Sequence, residues 1–382
     1  MNLLINPTTM RQDGYSPPPL GDLYMAGIVP ETVVFDAAHR NEDPIEFIQK
    51  HKPDVVGVTM YTAGRKESLN ILRAAKDCGA KTVTGGPHIA TNLKQLQEHY
   101  KFIDHFVAGD GELAWRAICN GDSVGQVIRM PVKNLDDLPL PKWNAVDVLS
   151  YPARGFGIYR GIDRGTTPRI SVVLGRGCQG KCTFCSTWWV NGKYRAHGRE
   201  WMHRNLQMLW DLGARHLVFQ DDCLTSDRQA ALELCDILAQ YNFVWFGTTR
   251  VDTLDYELAK RMKDVGCYQL AFGIETGSSE MLRKINKMVD LDRALQTRMI
   301  CAKVGITFSA LMMFGLPGET QQTYNETQRF LKILNPDEMG TVGSVWVFPG
   351  TQLYRDCKAA GLIDDDFWLG DEPYYIYRGG LE

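Results

Sequence analysis

A chain of 382 residues, 44% hydrophobic and 23% charged with a net charge of −3, has the make-up of a folded globular protein of two or three domains. That balance offers no basic field for a phosphate backbone and argues against a nucleic-acid partner. Met1 to Pro7 has neither a basic region before it nor a small-residue cleavage site after it, and no run reaches eighteen apolar residues, so a cytoplasmic protein is expected. Ten cysteines without the paired spacing of a secreted framework fit a reducing compartment. Cys78, Cys119, Cys235, Cys267 and Cys301 lie in apolar contexts and read as small core residues.

In the first third, strand-length apolar runs (Leu3 to Ile5, Thr32 to Phe35, Val55 to Thr59, Lys81 to Thr84, His105 to Ala108) alternate with amphipathic stretches such as Ser68 to Cys78. This alternation predicts an α/β, Rossmann-like (flavodoxin-like) domain with a parallel sheet and helices on both faces. Ligands of such sheets bind beyond the carboxyl ends of the strands. Those ends carry Thr59-Met60-Tyr61-Thr62, Gly85-Gly86-Pro87-His88 and Gly109-Asp110-Gly111-Glu112, where glycines let backbone approach a ligand. Leu138-Pro139-Leu140-Pro141-Lys142-Trp143-Asn144 and Ser150-Tyr151-Pro152 are Pro-punctuated and mark extended connecting chain. The expected division is 1–130, a linker 131–160, a second domain 161–350 and a short extension 351–382.

The second domain opens on Arg176-Gly177-Cys178-Gln179-Gly180-Lys181-Cys182-Thr183-Phe184-Cys185, directly after the β-branched run Ile170 to Leu174. A [4Fe–4S] cluster normally takes four cysteines. Three thiolates leave one iron open to a ligand from outside the protein. Gly177 and Gly180 would let backbone crowd the cluster, Phe184 would shield it from water, and Arg176 and Lys181 would offset its charge. The alternatives are a zinc knuckle or three free thiols; zinc wants a fourth ligand in a second close pair, and His197 lies outside any such pair.

Further apolar runs follow: His216 to Gln220, Phe243 to Thr248, Gln269 to Ile274, Phe308 to Phe314 and Gly343 to Phe348. With the first they make six strands, each leading to polar or glycine-rich residues: Arg176 with the three Cys, Gln220-Asp221-Asp222, Thr249-Arg250, Glu275-Thr276-Gly277, Gly315-Leu316-Pro317-Gly318-Glu319-Thr320 and Phe348-Pro349-Gly350-Thr351. Chemistry belongs at such strand ends.

The cysteine spacing, the Phe before the third Cys and the strand before the loop resemble the radical S-adenosylmethionine (SAM) superfamily, whose architecture is a partial (βα)6 TIM-type barrel. Asn6-Pro7, Pro18-Pro19-Leu20-Gly21, Val34-Phe35-Asp36-Ala37 and the two glycine turns resemble the cobalamin-binding domain that precedes the barrel in one large subclass. The resemblance implies that Cys178, Cys182 and Cys185 hold the cluster, whose open iron chelates the amino and carboxylate groups of S-adenosylmethionine. An electron from the cluster then gives a 5′-deoxyadenosyl radical. Glu275 would bind the ribose, Gln220, Asp221 and Asp222 would sit beside the cofactor, where Asp222 or Asp221 would touch the ribose or orient substrate, and Gly315 and Pro317 would flank the adenine. Arg250 would pair with the cofactor carboxylate or with Asp252, and Tyr194 and Arg195 would cover the cofactor or lock the loop. Thr59, Gly85, Gly86, Pro87, Gly109, Gly111 and Glu112 would line the pocket for the nucleotide tail of cobalamin. The Asp-x-His-x-x-Gly motif of other cobalamin domains is absent; His39 reads as a surface loop residue, and Met60 or Tyr61 would face the lower side of the corrin. Trp188, Trp189 and Trp346 read as core or as walls for substrate or corrin, and Cys223 as a small buried residue or a strand-end hydrogen relay.

The activity implied is methylation of an unactivated carbon through that radical and methylcobalamin, reached from hydroxocobalamin on reconstitution. Alternatives are a cobalamin-containing radical enzyme of ring contraction or cyclisation, or a cobalamin carrier or sensor; the intact three-Cys motif speaks against the last. Expected partners are a small-molecule, peptide or carrier-bound substrate and an external reductant such as flavodoxin or ferredoxin. About thirty residues after Thr351 are too few for a further domain, which suggests a bulky or carrier-bound substrate or closure by a second subunit.

Overall fold

The computed structural model describes residues 1–8 and 16–379, which separate into two compact units. The first comprises Met1–Arg154, Trp189–Asn191 and Arg355–Tyr374; the second Gly155–Trp188, Gly192–Tyr354 and the chain from Tyr375.

The first unit runs β1 (Asn2–Asn6), α1 (Leu20–Ile28), β2 (Val33–Asp36), α2 (Ala37–Arg40), α3 (Pro44–His51), β3 (Val55–Thr59), α4 (Arg65–Asp77), β4 (Lys81–Gly85), α5 (Pro87–His99), β5 (His105–Val107), α6 (Glu112–Cys119) and β6 (Val127–Ile128). All strand pairings are parallel, in the order β2-β1-β3-β4-β5-β6. Strands covered on both faces read as continuous apolar runs, and the first five stand where such runs predict them. The sixth has two residues, too few to leave a periodic signal. Phe35, Val58, Ile71, Ile89 and Phe106 form the larger core cluster, while Leu4, Val83, Val107, Trp115 and Ile118 form another. The sheet order reverses between β1 and β3, so the crevice at their carboxyl ends is the switch point where doubly wound sheets take ligands.

The Pro-punctuated stretch is docked rather than extended free. Trp143 is fully buried, and the Lys142 N–H donates to the Leu23 carbonyl on α1 at 2.9 Å. His39 stands in α2, not in a loop: its ring stacks on Tyr151 at 3.9 Å and its Nε2 meets the Ser150 hydroxyl at 2.9 Å.

The second unit holds β7 (Ile158–Tyr159), β8 (Ile162–Asp163), β9 (Arg169–Val172), β10 (Gly175–Arg176), α7 (Thr187–Val190, which the unit boundary crosses), β11 (Arg195–Ala196), α8 (Arg199–Asp211), β12 (His216–Phe219), α9 (Arg228–Leu238), β13 (Val244–Thr249), α10 (Tyr256–Asp264), β14 (Cys267–Glu275), α11 (Ser279–Lys284), α12 (Leu291–Val304), β15 (Thr307–Phe314), α13 (Gln321–Leu334), β16 (Glu338–Ser344), β17 (Trp346–Val347), α14 (Gln352–Ala359, also crossed by the boundary) and β18 (Tyr375–Ile376). Six parallel strands follow one another in sequence order, from β9 at one edge to β16 at the other. The two edges are not paired with each other, which makes the barrel partial.

The last barrel strand departs from expectation. It spans Glu338–Ser344 rather than Gly343 to Phe348 and is largely exposed, because an edge strand needs no apolar alternation. The apolar Trp346–Val347 pairs instead with Tyr375–Ile376 in a small antiparallel ribbon. Trp346 is therefore not on a barrel strand, and Phe348 to Thr351 is a turn whose Thr351 hydroxyl accepts the Tyr354 N–H at 3.0 Å at the start of α14.

Candidate active site

The three-cysteine loop leaves the carboxyl end of β9 and lies between the strands of the β10–β11 ribbon. Two adjacent carboxylates hold its entry. Asp221 is buried and accepts the backbone N–H groups of Leu174 at 3.0 Å and Gly175 at 2.7 Å, so both its oxygens are occupied by the chain that leads into the loop. Burial raises this carboxyl to about 7 in spite of those bonds. Asp222, exposed, accepts the Gly177 N–H at 3.0 Å and the Thr187 hydroxyl at 2.9 Å, tying the residue before Cys178 to the helix after Cys185. Thus both acids, expected beside the cofactor, are hydrogen-bonded to the loop and its flanks.

Within the loop, the Gly180 N–H points to Cys178 Sγ at 3.3 Å. A Cβ on Gly180 would stand 3.5 Å from Cys178 Sγ, 3.9 Å from Cys182 Sγ and 3.2 Å from Arg250 Nη1. Two thiols and a guanidinium therefore stand within contact of one backbone position, where a Cβ would press only on the movable end of Arg250. This gathering fits a cluster seated on the loop, with a backbone N–H directed at the Cys178 thiol and a cation close by. Gly177 has another reason: with φ +92°, its Cβ would meet the carbonyls of Gly192 and Lys193 at 2.7 and 2.8 Å, so it makes room for the returning chain rather than for the cluster. Among the described residues no three His, Cys, Asp or Glu converge as ligands of one mononuclear ion do; thiolates that each hold a different iron have no need to. Phe184 is half-buried, and the Cys185 N–H donates to the Cys182 carbonyl at 3.1 Å. His197 stacks on Trp201 at 3.5 Å and is held neutral, lowered to about 3 by burial and Arg176.

Glu275 ends β14 in a strained backbone. Its φ is +68°, and the Thr276 N–H reaches back to the Ile274 carbonyl at 2.9 Å, a three-residue turn that non-glycine residues rarely adopt. Its buried carboxylate is paired with buried Lys287 at 2.7 Å, and the pair lies over Gly273, where a Cβ would meet both charged groups. Lys287 was not marked by the sequence, because it reads as one more cation in the basic run Arg283-Lys284. Arg250 takes the alternative foreseen for it: a bidentate pair with Asp252 at 2.9 and 2.7 Å. Gln220 is exposed; Gly315 donates its N–H to buried Glu319 at 2.6 Å, and Pro317 is half-buried in the same turn. Cys223 is fully buried against Thr249 and Thr253 hydroxyls, the role of a small core residue.

In the first unit, Thr59 donates its hydroxyl to Asp22 at 3.1 Å. Asp22 is buried, is raised to about 7 by burial, and its Oδ2 has no hydrogen-bond partner among the described residues. Buried His88, lowered to about 3 by burial and Arg65, keeps an unpartnered Nε2 while its Nδ1 meets Thr62 at 3.2 Å. These unfilled polar atoms beside the ends of β3 and β4 fit a polar ligand there. Met60 is fully buried in the core, leaving half-buried Tyr61, which burial and Asp22 push up to about 12. Gly85 ends β4; Gly86, at φ +99°, has the Met60 carbonyl 2.9 Å from where its Cβ would be, and Pro87 begins α5. Gly109 has open space where a Cβ would stand, Gly111 caps α6, and Glu112 begins that helix buried. Asp22 was not marked by the sequence; its one signal is a lone acid in an otherwise apolar helix.

A model of the radical SAM superfamily matches residues 172–331, and one of the B12 binding domain matches residues 9–119. The chain joins a B12-binding domain to a radical SAM domain. It is an enzyme of that superfamily, and its domains imply a [4Fe–4S] cluster, S-adenosylmethionine and cobalamin. An uncharacterised methyltransferase of Pyrococcus horikoshii is 27% identical over 94% of this chain and 84% of its own. The anaerobic magnesium-protoporphyrin IX monomethyl ester cyclase of Rubrivivax gelatinosus is 26% identical over 89% of this chain and 66% of its own. The radical SAM methyltransferase TsrM of Kitasatospora setae, solved with cobalamin and a [4Fe–4S] cluster, shares the fold at a TM-score of 0.75 and 18% identity, covering 94% of this chain and 78% of its own. No helix of the described residues is long and apolar enough to cross a membrane.

Proposed function

We propose that this radical SAM enzyme methylates an unactivated carbon of a small-molecule, peptide or carrier-bound substrate. The observation that carries the reading is the loop of Cys178, Cys182 and Cys185, closed around Gly180 at the strand ends of a chain that also has a B12-binding domain. When bound, the cluster with S-adenosylmethionine supplies hydrogen abstraction and cobalamin supplies methyl transfer.

The chain's own residues prepare these sites. Cys178, Cys182 and Cys185 would hold three irons, while Asp221 and Asp222 fix the path of their loop. Glu275, oriented by Lys287 and by its turn, is set to accept hydrogen bonds from ribose hydroxyls; Gly315 and Pro317 would flank the base. Arg250, already engaged with Asp252, stands beside Gly180 and would temper the negative charge of the loaded loop. In the first unit, Thr59, Asp22, Tyr61, His88 and the glycine turns would receive cobalamin. An external one-electron donor, flavodoxin or ferredoxin, completes the system.

The likeness to the cyclase favours a second reading, in which the same cofactors serve ring formation without methyl transfer. Anaerobic reconstitution with hydroxocobalamin, followed by S-adenosylmethionine labelled in its methyl group, separates the two. Labelled product with S-adenosylhomocysteine and 5′-deoxyadenosine supports methylation. 5′-Deoxyadenosine alone with an unlabelled cyclised product supports the second reading. A chain that binds a cluster and no corrinoid would remove both.

A further inference from the structure

The turn at 285–288, which leaves α11, holds Cys182 from both sides. The Asn286 side-chain amide donates to the Lys181 carbonyl at 2.8 Å, and the Thr183 N–H donates to the Ile285 carbonyl at 2.9 Å, so the residues before and after the second cysteine are fastened to neighbours in one turn. Arg250 adds a third tie. Its Nη2 donates to the carbonyls of Lys287 at 3.3 Å and Met288 at 3.4 Å, while its Nη1 lies 3.2 Å from where a Cβ of Gly180 would stand. In the same turn Lys287 points inward to the Glu275 carboxylate at 2.7 Å. Adjacent residues thus reach the cysteine loop on one side and the expected ribose acceptor on the other.

Helix capping alone does not account for Asn286. Its backbone is left-handed, φ +51°, and the N–H groups of Asn286 and Lys287 return to the carbonyls of Arg283 at 3.0 Å and Leu282 at 2.9 Å, which closes the end of α11. Glycine suits that backbone best, and the cap makes no use of a side chain. The amide instead crosses to a carbonyl 105 residues earlier in the chain. Met288 is left-handed too, at φ +50°, with its side chain 76% exposed. Such a backbone is costly and persists where its contacts hold it, here the cysteine loop and Arg250.

We propose that Asn286 is a positioning residue that keeps the loop of Cys182 in register with Glu275, so that one molecule of S-adenosylmethionine engages both. The inference rests on the reading of the cysteine loop as a cluster site and of Glu275 as the ribose acceptor. This ligand has two ends to place, its ribose at Glu275 and its amino-acid arm at the open iron. It gains from both only where their spacing is fixed before it binds. Fixing that spacing is the part assigned to Asn286.

The test uses the anaerobically reconstituted holoenzyme and two probes: S-adenosylmethionine, and 5′-deoxyadenosine, which keeps the ribose and base and lacks the amino-acid arm. Equilibrium dialysis gives both affinities per loaded cluster, and the EPR spectrum of the reduced cluster reads the arrival of S-adenosylmethionine at the iron. Asn286→Gly removes the amide and suits the left-handed backbone; Asn286→Asp keeps the shape and has no N–H to donate. Both variants should bind S-adenosylmethionine about tenfold more weakly, the contribution of one lost hydrogen bond, while 5′-deoxyadenosine binds them as it binds the parent. The EPR change should then need correspondingly more S-adenosylmethionine. Equal weakening of both probes overturns the proposal, since the turn then serves the ribose site alone. So does an unchanged affinity for S-adenosylmethionine, or weakening in Asn286→Asp only, which is repulsion by the new carboxylate. A parent that binds S-adenosylmethionine and not 5′-deoxyadenosine overturns it too, because the ribose end then holds nothing by itself. All four outcomes leave the cluster reading standing. Absence of iron from the reconstituted parent removes that reading, and the proposal with it.

Discussion

Lys287 holds the carboxylate of Glu275 at 2.7 Å inside the radical SAM domain, with both side chains nearly closed to water. An isolated charge at such a place is costly, whereas a pair is tolerated. Lys287→Met should therefore destabilise this domain by about 3–5 kcal/mol, since it leaves the buried Glu275 carboxyl without its partner. The double variant Glu275→Gln with Lys287→Met should recover most of that stability but not the affinity for S-adenosylmethionine, because the carboxylate proposed to accept the ribose hydroxyls is gone. Urea unfolding and equilibrium binding of S-adenosylmethionine, measured on the parent and both variants, separate the two contributions. Normal binding by the double variant would show that the pair serves packing alone.

Asp222 provides a second test, directed at the loop rather than at a bound cofactor. Its two oxygens fasten Gly177 and Thr187 on either side of the cysteines, and hydrogen bonds to a charged acceptor contribute about 1.5–3 kcal/mol each. Asp222→Ala should fold, since the side chain is exposed, yet lose iron faster to a chelator than the parent. Asp221→Asn should do worse, because its amide N–H₂ would face the N–H groups of Leu174 or Gly175. Iron retention equal to the parent in both would show that the loop keeps its path without them.

Much of this architecture was legible in the sequence for one physical reason: strands buried on both faces are uninterrupted apolar runs. Val55–Thr59 and His216–Phe219 could be read directly. The edge strand Glu338–Ser344 could not, since exposure removed its pattern and the apolar Trp346–Val347 beside it gave the stronger signal. Spacing alone marked Cys178, Cys182 and Cys185, because ligands within one short loop are local. The duties of Asp221 and Asp222 depend on which backbone N–H groups arrive from a distant strand, and Lys287 on which face of a basic run turns inward. Those are tertiary facts. Met60 and Tyr61 show the same limit on a smaller scale: neighbours in sequence, they part to core and to partial exposure.

Arg65 fixes the last part of the first unit. Its guanidinium donates to the carbonyls of Thr62 at 2.9 Å, Trp368 at 3.0 Å, Gly370 at 2.7 Å and Pro373 at 3.3 Å, and also to that of Glu372. Trp368, fully buried, meets His88 edge to face at 6.1 Å. Arg65→Ala should leave these carbonyls unpaired and free the segment around Trp368, at a cost of about 3–5 kcal/mol to the unit. Limited proteolysis should then cut between Gly361 and Tyr374 in the variant and not in the parent. Arg65→Lys should rescue little, because one ammonium cannot reproduce the five-donor fork.

Asp22 gives a prediction in pH. Burial raises its carboxyl from 3.8 to about 7, so between those values the folded chain holds a proton that the unfolded chain has released. Stability from this group is fully present below about pH 4 and is lost as pH rises through about 7. Asp221 shifts the same way, while His88, His197 and His216, lowered by burial to about 3, 3 and 4, act in the opposite direction by losing stability as pH falls below 6.5. The parent curve therefore mixes the two, and the informative quantity is the difference between parent and Asp22→Asn. The variant lacks the titration, so its stability relative to the parent should be lowest near pH 4 and should climb steadily to pH 8. Urea unfolding at intervals across that range, on protein without added cobalamin, reads the slope. A difference constant with pH would mean that Asp22 is ionised in the folded protein, and its unpartnered oxygen would then have to face solvent rather than the interior. Repeating the series with hydroxocobalamin bound should flatten the slope if the ligand supplies the missing partner to Oδ2, since a donor there favours the carboxylate and brings its ionisation back toward the ordinary range.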